Sequence, residues 1–281
     1  NLGDRVGRAR AMGLAILTYT AVTGVTYFVA SPSQLLVLRF IACLGVGGMW
    51  PNGVALASEA WSGVSRPLLA GLIGTAANLG FVFIAAVSAR FEITPDAWRW
   101  VMLVGAAPLP LGVYVLLAVP ESPHWLATRG QQHLPTSRSP MSEVFRPPLL
   151  KRTAIGILLG MVPLLGNWGG ANWLVPWADK IGGAADPSLK SWTQFTRSSG
   201  AALGSLLGGW LASRFGRRTT YFAISLASLV TSLYLFHRII PGDPQFLTWT
   251  FVLGFFGTVF FGWLPLYLPE LFPTRVRATG T

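Results

Sequence analysis

LGDRVGRAR at residues 2–10 and LASRFGRR at residues 211–218 are two versions of one short basic turn, each leading into a long apolar stretch. A second shared signal follows each of them: a Glu, six residues, then an Arg. In the first copy it runs from Glu59 to Arg66, and in the second from Glu270 to Arg277. The copies are offset by 209 residues at the turns (Leu2 to Leu211) and by 211 at the acid–base pairs (Glu59 to Glu270). So constant an offset means that one unit of about 65 residues occurs twice in the same orientation. The repeat sets out three regions: a first half at 1–119, a central connection at 120–150 and a second half at 151–281.

Composition places this repeat in a membrane. Charged residues make up only 11% of the chain and hydrophobic residues 52%, with a mean hydropathy of +0.53. A soluble domain carries about 25% charged residues. Eight apolar runs, at about 11–30, 34–57, 68–89, 98–119, 152–177, 191–212, 219–238 and 245–268, are each near the twenty residues a helix needs to cross hydrocarbon. Ser31-Pro32-Ser33, Thr94-Pro95-Asp96, Asp186-Pro187-Ser188 and Pro241-Gly242-Asp243-Pro244 punctuate them. The single cysteine, Cys43, rules out an intrachain disulfide and a thiolate metal cluster.

The net charge of +11 is distributed as membrane topology rather than as a polyanion-binding face. With alternate loops assigned to opposite sides, one side holds fourteen Lys and Arg and the other five, leaving Arg39 and Arg197 inside spans. The basic side is expected to be cytoplasmic, and it contains both visible ends and the 120–150 connection. No nucleic-acid partner is expected.

At this point the motifs resemble one family. LGDRVGR resembles the turn between the second and third helices of the major facilitator superfamily, and LASRFGRR its second-half echo. Arg39 with Gly45, Gly47 and Gly48 resembles the fourth-helix motif. The Glu59–Arg66 and Glu270–Arg277 pairs, with PESPHWL at 120–126, resemble the sugar-porter-like branch. The resemblance implies an all-α helical bundle in which the eight visible spans are family helices three to ten of twelve, so that two helices are expected before residue 1 and two after residue 281. It further implies a multi-pass monomer of the plasma (inner) membrane, a secondary transporter working by alternating access, with no cofactor and no metal. The paired-glutamine signature of true sugar porters is absent from 152–177, which reads GMVPLLGNWGGANWLVPW instead. That departure points to relatives moving organic acids, sialic acid or other small metabolites.

Two groups of residues follow. Asp4, Arg5, Arg8, Glu59, Arg66, Glu121, Arg214, Arg217, Arg218, Glu270 and Arg277 are expected to form a cytoplasmic gate of ion pairs, the alternative being charge that only sets topology. Exposed pairs are worth about 0–1 kcal/mol each, so several acting together can bias a two-state equilibrium on the scale a ligand reverses. The gate is asymmetric, because Ser213 stands where the first copy has Asp4. The cavity candidates are Arg39, Trp50, Asn52, Asn78, Asn167, Trp168, Asn172, Trp173, Gln194, Arg197, Trp263 and Tyr267. Polar groups inside spans are costly and therefore informative. Two guanidiniums suit a substrate carboxylate. For Arg39 a structural or coupling role competes with substrate contact, and for Arg197 the competitor is snorkelling to the outer interface. Asn78 is either a cavity residue or an interhelical hydrogen bond. Gly200, Gly204 and Gly208, spaced by four, are expected to let helices approach closely.

Enzyme readings find no support: no His pair at ligand spacing, no carboxylate pair within a span, and no Walker or Gly-x-Ser-x-Gly motif. No Asp or Glu lies mid-span, so proton coupling is implied by the resemblance alone. The alternatives are a sugar porter or facilitator of the same fold, and a transporter-like nutrient sensor.

Overall fold

The structure is a computed structural model that describes residues 3, 6–61, 65–94, 96–122, 125–126, 144–147 and 149–272, and among these there are helices and loops but no strand. The helices in chain order are α1 (Arg8–Val25), α2 (Pro32–Ala60), α3 (Arg66–Arg90), α4 (Trp100–Ala106), α5 (Leu109–Ala118), α6 (Leu150–Pro163), α7 (Gly169–Gly182), α8 (Leu189–Phe215), α9 (Arg217–Arg238), α10 (Phe246–Thr258) and α11 (Leu264–Tyr267). Every apolar run in the sequence coincides with helix. Six stretches are long and apolar enough to cross a membrane: Arg8–Phe28, Pro32–Val54, Leu68–Arg90, Trp100–Ala118, Leu150–Gly182 and Arg217–Arg238.

The other two runs are helical too, and each falls short for its own reason. Phe246–Gly262 is apolar but short, because α10 tightens into a 3-10 turn at Val259–Gly262 before α11. Helix α8 has ample length, 27 residues, but is rich in Ser, Thr and Gly. Thirteen of its residues are buried, so its polarity is met by protein rather than lipid. Prolines set the other breaks. Pro108 separates α4 from α5, and Pro163 lies where α6 gives way to the π-helical turn Leu164–Trp168 that leads into α7.

Contacts divide the chain into two compact units, residues 1–63 with 93–135, and residues 64–92 with 136–281. In the first, α1 packs on α2 and α5. Gly45 lies so close to the α1 backbone that a Cβ there would meet the Tyr19 amide nitrogen at 2.8 Å and the Ala15 carbonyl at 2.9 Å. In the second, α8 is the central element, with α3 on one flank and α10 on the other. Gly200, Gly204 and Gly208 rest directly on the carbonyls of Phe251, Phe255 and Val259, the close approach expected of their spacing. Thr258 donates to Ala201 O across the same seam at 2.9 Å. Toward α3, Thr75 donates to Ala202 O at 3.1 Å. Large apolar side chains remain exposed along the outer faces, among them Phe40 and Leu44 on α2 and Phe222, Leu229 and Val230 on α9. Lipid is the medium in which such faces carry no penalty.

Candidate functional site

The duplicated turn has one backbone device in both copies. Gly7 has φ 110° and Gly216 has φ 83°, and each stands immediately before a helix, α1 or α9. Only glycine adopts this conformation without strain, so the glycine just before the helix is the residue that aims it. In the first copy the helix start is also occupied. Glu121, from the PESPHWL segment, accepts hydrogen bonds from the backbone N–H groups of Arg8 (2.6 Å), Ala9 (2.9 Å) and Arg10 (3.5 Å), and from its own neighbour Ser122 (3.2 Å). A helix start offers unsatisfied donors and a positive dipole end, which together favour an anion. Partial burial pushes the Glu121 carboxyl up, but these four backbone donors outweigh it and hold it below the usual carboxylate range. Gly7 packs directly on this carboxylate, with no room for a Cβ. Among the described residues the main chain at the start of α1 supplies these hydrogen bonds, a pairing that sequence spacing does not encode.

The second copy carries a different contact. The Arg217 guanidinium stacks over the Tyr267 ring at 4.7 Å, a cation–π arrangement. Tyr267 in turn meets Trp263 at 5.7 Å. Trp263 is 6% exposed and also touches Tyr221, whose hydroxyl donates to Leu159 O at 3.0 Å. Tyr267 and Trp263, expected in the cavity, therefore join the basic turn through Arg217. Arg214 and Arg218 are exposed. Asn52, on α2, behaves likewise: it donates to Gly48 O at 2.7 Å, and Gly3 of the first turn sits against its side-chain oxygen.

Further from the turns, α8 holds the polar residues. Arg197 is buried, 9% exposed, and among the described residues its Nε has no hydrogen-bond partner. It lies eight residues beyond the start of α8, roughly 12 Å along the axis. One turn before it, Gln194 donates to Ser198 Oγ at 2.8 Å. Asn78 donates to Gly74 O at 2.9 Å and to Ser205 Oγ at 3.3 Å, so its amide is engaged between α3 and α8. Within the π-helical turn, Asn167 is buried against Gly257 of α10 and Trp168 makes an edge contact with Phe81 of α3 at 6.4 Å. Single π turns inside helices are a recurrent mark of functional sites. Asn172 and Trp173 are exposed on α7, Trp173 at 72%. Arg39 is exposed on α2 with Cys43 and Gly47, and its Nη2 contacts Met102 Sδ at 3.4 Å.

Within the second unit Gln194 and Arg197 lie on α8, Asn167 meets α10 and Trp168 meets α3, while Arg39 belongs to the first unit. Phe81 was not expected. A phenylalanine in an apolar run carries no sequence signal, and only packing distinguishes it. Asp4, Arg5 and Arg277 lie outside the described residues, as do the side chains of Trp50, Glu59, Arg66 and Glu270.

Comparison with known proteins agrees with this arrangement. Residues 1–182 match the model of the Major Facilitator Superfamily, and residues 177–281 match that of the Sugar (and other) transporter family. A protein of Cupriavidus pinatubonensis named as a probable 4-methylmuconolactone transporter is 30% identical over 99% of this chain and 64% of its own length. The cis,cis-muconate transport protein of Acinetobacter baylyi is 26% identical over 99% of this chain and 67% of its own. The sialic acid transporter of Escherichia coli is 24% identical over 100% and 67%. The chain thus spans about two thirds of the length of these curated relatives. A parallel basic turn fixed by a positive-φ glycine, two helical units and a family match over residues 1–182 lead to one conclusion: the chain belongs to the major facilitator superfamily of membrane transporters.

Proposed function

We propose that this chain is part of a secondary transporter that moves a small organic anion by alternating access, coupled to protons, in the inner membrane with its basic turns on the cytoplasmic side. The observation that carries the anion reading is Arg197, a buried cation in a membrane helix whose Nε lacks a partner among the described residues. A buried guanidinium is stabilised only by an anion or by a set of acceptors, and a carboxylate matches its planar fork. Asn167 and the Trp168–Phe81 aromatic edge offer a polar and a flat apolar contact for the rest of a small metabolite. The relatives' names support the same class, since muconate and sialic acid are carboxylates. The basic turns, with fourteen of the Lys and Arg on one side, support the orientation. The Glu121 and Arg217 contacts support a gate at that end, made of several interactions individually weak enough to break in each cycle.

The test is uptake of labelled carboxylates by cells expressing the full transporter, with and without a proton ionophore. Arg197→Ala is expected to abolish carboxylate uptake while leaving the amount of protein in the membrane unchanged. Uptake that ignores the ionophore would remove proton coupling; anion affinity that survives Arg197→Ala would remove the anion reading. A neutral-sugar porter is the second reading, favoured by the match of residues 177–281 to the Sugar (and other) transporter model. Competition by uncharged hexoses, but not by carboxylates, would establish it instead.

A further inference from the structure

Helices α8 and α10 run parallel, since Gly200, Gly204 and Gly208 meet Phe251, Phe255 and Val259 in the same order. Thr250 precedes Phe251 by one residue, and Arg197 precedes Gly200 by three, so the two lie at nearly the same depth along one seam. Gly254 confirms the closeness, because it rests on the Arg197 backbone carbonyl. Thr250 is fully buried. Its hydroxyl, like Arg197 Nε, has no hydrogen-bond partner among the described residues. This departs from its neighbours: Thr193, Thr196, Thr231 and Thr258 all return their hydroxyls to a carbonyl four residues back. A buried polar group left unsatisfied is destabilising, and two such donors at one level of one seam are a costly coincidence where the described residues hold only three such atoms.

We infer that Thr250 is a second polar contact for the substrate carboxylate, with its hydroxyl and the Arg197 Nε–H donating to the anion when the seam opens to the cavity. The inference rests on the organic-anion reading of Arg197. It adds a residue that no sequence motif marks, and it explains why both donors lack partners here. The ligand class is a monocarboxylate or dicarboxylate small enough to be grasped by one guanidinium and one hydroxyl. Glycines at 200, 204 and 254 let the two helices meet backbone to backbone at the level of both groups.

Thr250→Val tests this, because valine keeps the shape and removes only the hydroxyl. The experiment measures binding of cis,cis-muconate, nicotinate and N-acetylneuraminate, and the thermal midpoint, for the full transporter in nanodiscs, as wild type, Thr250→Val and Thr250→Ser. The expected result has two parts. Thr250→Val weakens carboxylate binding about ten-fold, and Thr250→Ser restores it. Without ligand, Thr250→Val melts no lower than wild type, because an unsatisfied buried hydroxyl has been removed. If wild type binds a carboxylate and Thr250→Val binds it equally well, this inference is overturned and the Arg197 reading stands. If wild type binds none of the three, both fall. A lower ligand-free midpoint for Thr250→Val would mean the hydroxyl is bonded within the protein, which also overturns it.

Discussion

Replacing Glu121 should loosen the start of α1 and little else. The carboxylate accepts three backbone donors from the first turn of that helix, so Glu121→Ala removes their partner and a favourable charge at once. Loss of a side-chain cap costs about 0.5–2 kcal/mol, and loss of an anion at a helix start a further 0.3–1 kcal/mol or so. For a half-buried group with three donors we expect about 2 kcal/mol for Glu121→Ala. Glu121→Gln, which keeps an acceptor but not the charge, should cost about 1 kcal/mol. Read by hydrogen exchange of the segment from Val6 to Gly13 in nanodiscs, these values correspond to roughly 30-fold and 5-fold losses of protection. The effect has a pH signature. The folded carboxyl titrates below its ordinary value of 4.5, so its stabilisation is complete above that value and is lost as pH falls through the lowered folded value. The gap in thermal midpoint between wild type and Glu121→Gln should therefore be constant through neutral pH and close in acid. Unchanged protection in Glu121→Ala, or a gap that persists in acid, would refute the capping argument.

The two turn glycines should respond unequally. Gly7→Ala meets both positive-φ strain and the Glu121 carboxylate, whereas Gly216→Ala, with open space around it, meets strain alone. Gly216→Ala should cost about 1–2 kcal/mol and Gly7→Ala clearly more in thermal unfolding. Gly204→Val should separate α8 from α10, because any Cβ there collides with the Phe255 carbonyl; a fall of several degrees in midpoint and loss of binding are expected together. Tyr267→Leu removes the surface under Arg217 and should cost only about 0.5–1 kcal/mol, so a measurable change in transport rate without a change in expression would tie that contact to gating.

The duplicated turn made the helical architecture readable because it combines a period in sequence with a charge asymmetry, and both survive without knowledge of packing. All eight runs became helices for the same reason: apolar length is a local property. The Gly200–Gly204–Gly208 seam was equally legible, since spacing by four fixes one helix face. What the sequence hid was partnership. Nothing in PESPHWL says that its glutamate caps a helix more than a hundred residues earlier, and nothing in the α10 run singles out Thr250 from its neighbours. Faces along 152–177 were also beyond reach. The π turn at Leu164–Trp168 shifts everything after it by one position, so a face drawn at regular helical spacing through 152–163 does not continue into α7.

The placement of α3 in the second unit has a consequence in time. Its partner α8 begins about a hundred residues after α3 ends, and synthesis at roughly 5–20 residues per second separates the two by about 5–20 s. For that interval Thr75 and Asn78, which later meet Ala202 and Ser205, lie in a bilayer without those partners. Helix α8, too polar to hold its own place in lipid, gains a strong reason to stay only when α3 is already there to receive it. The first-made half of this chain thus serves as the template on which a polar, largely buried helix of the second half is inserted.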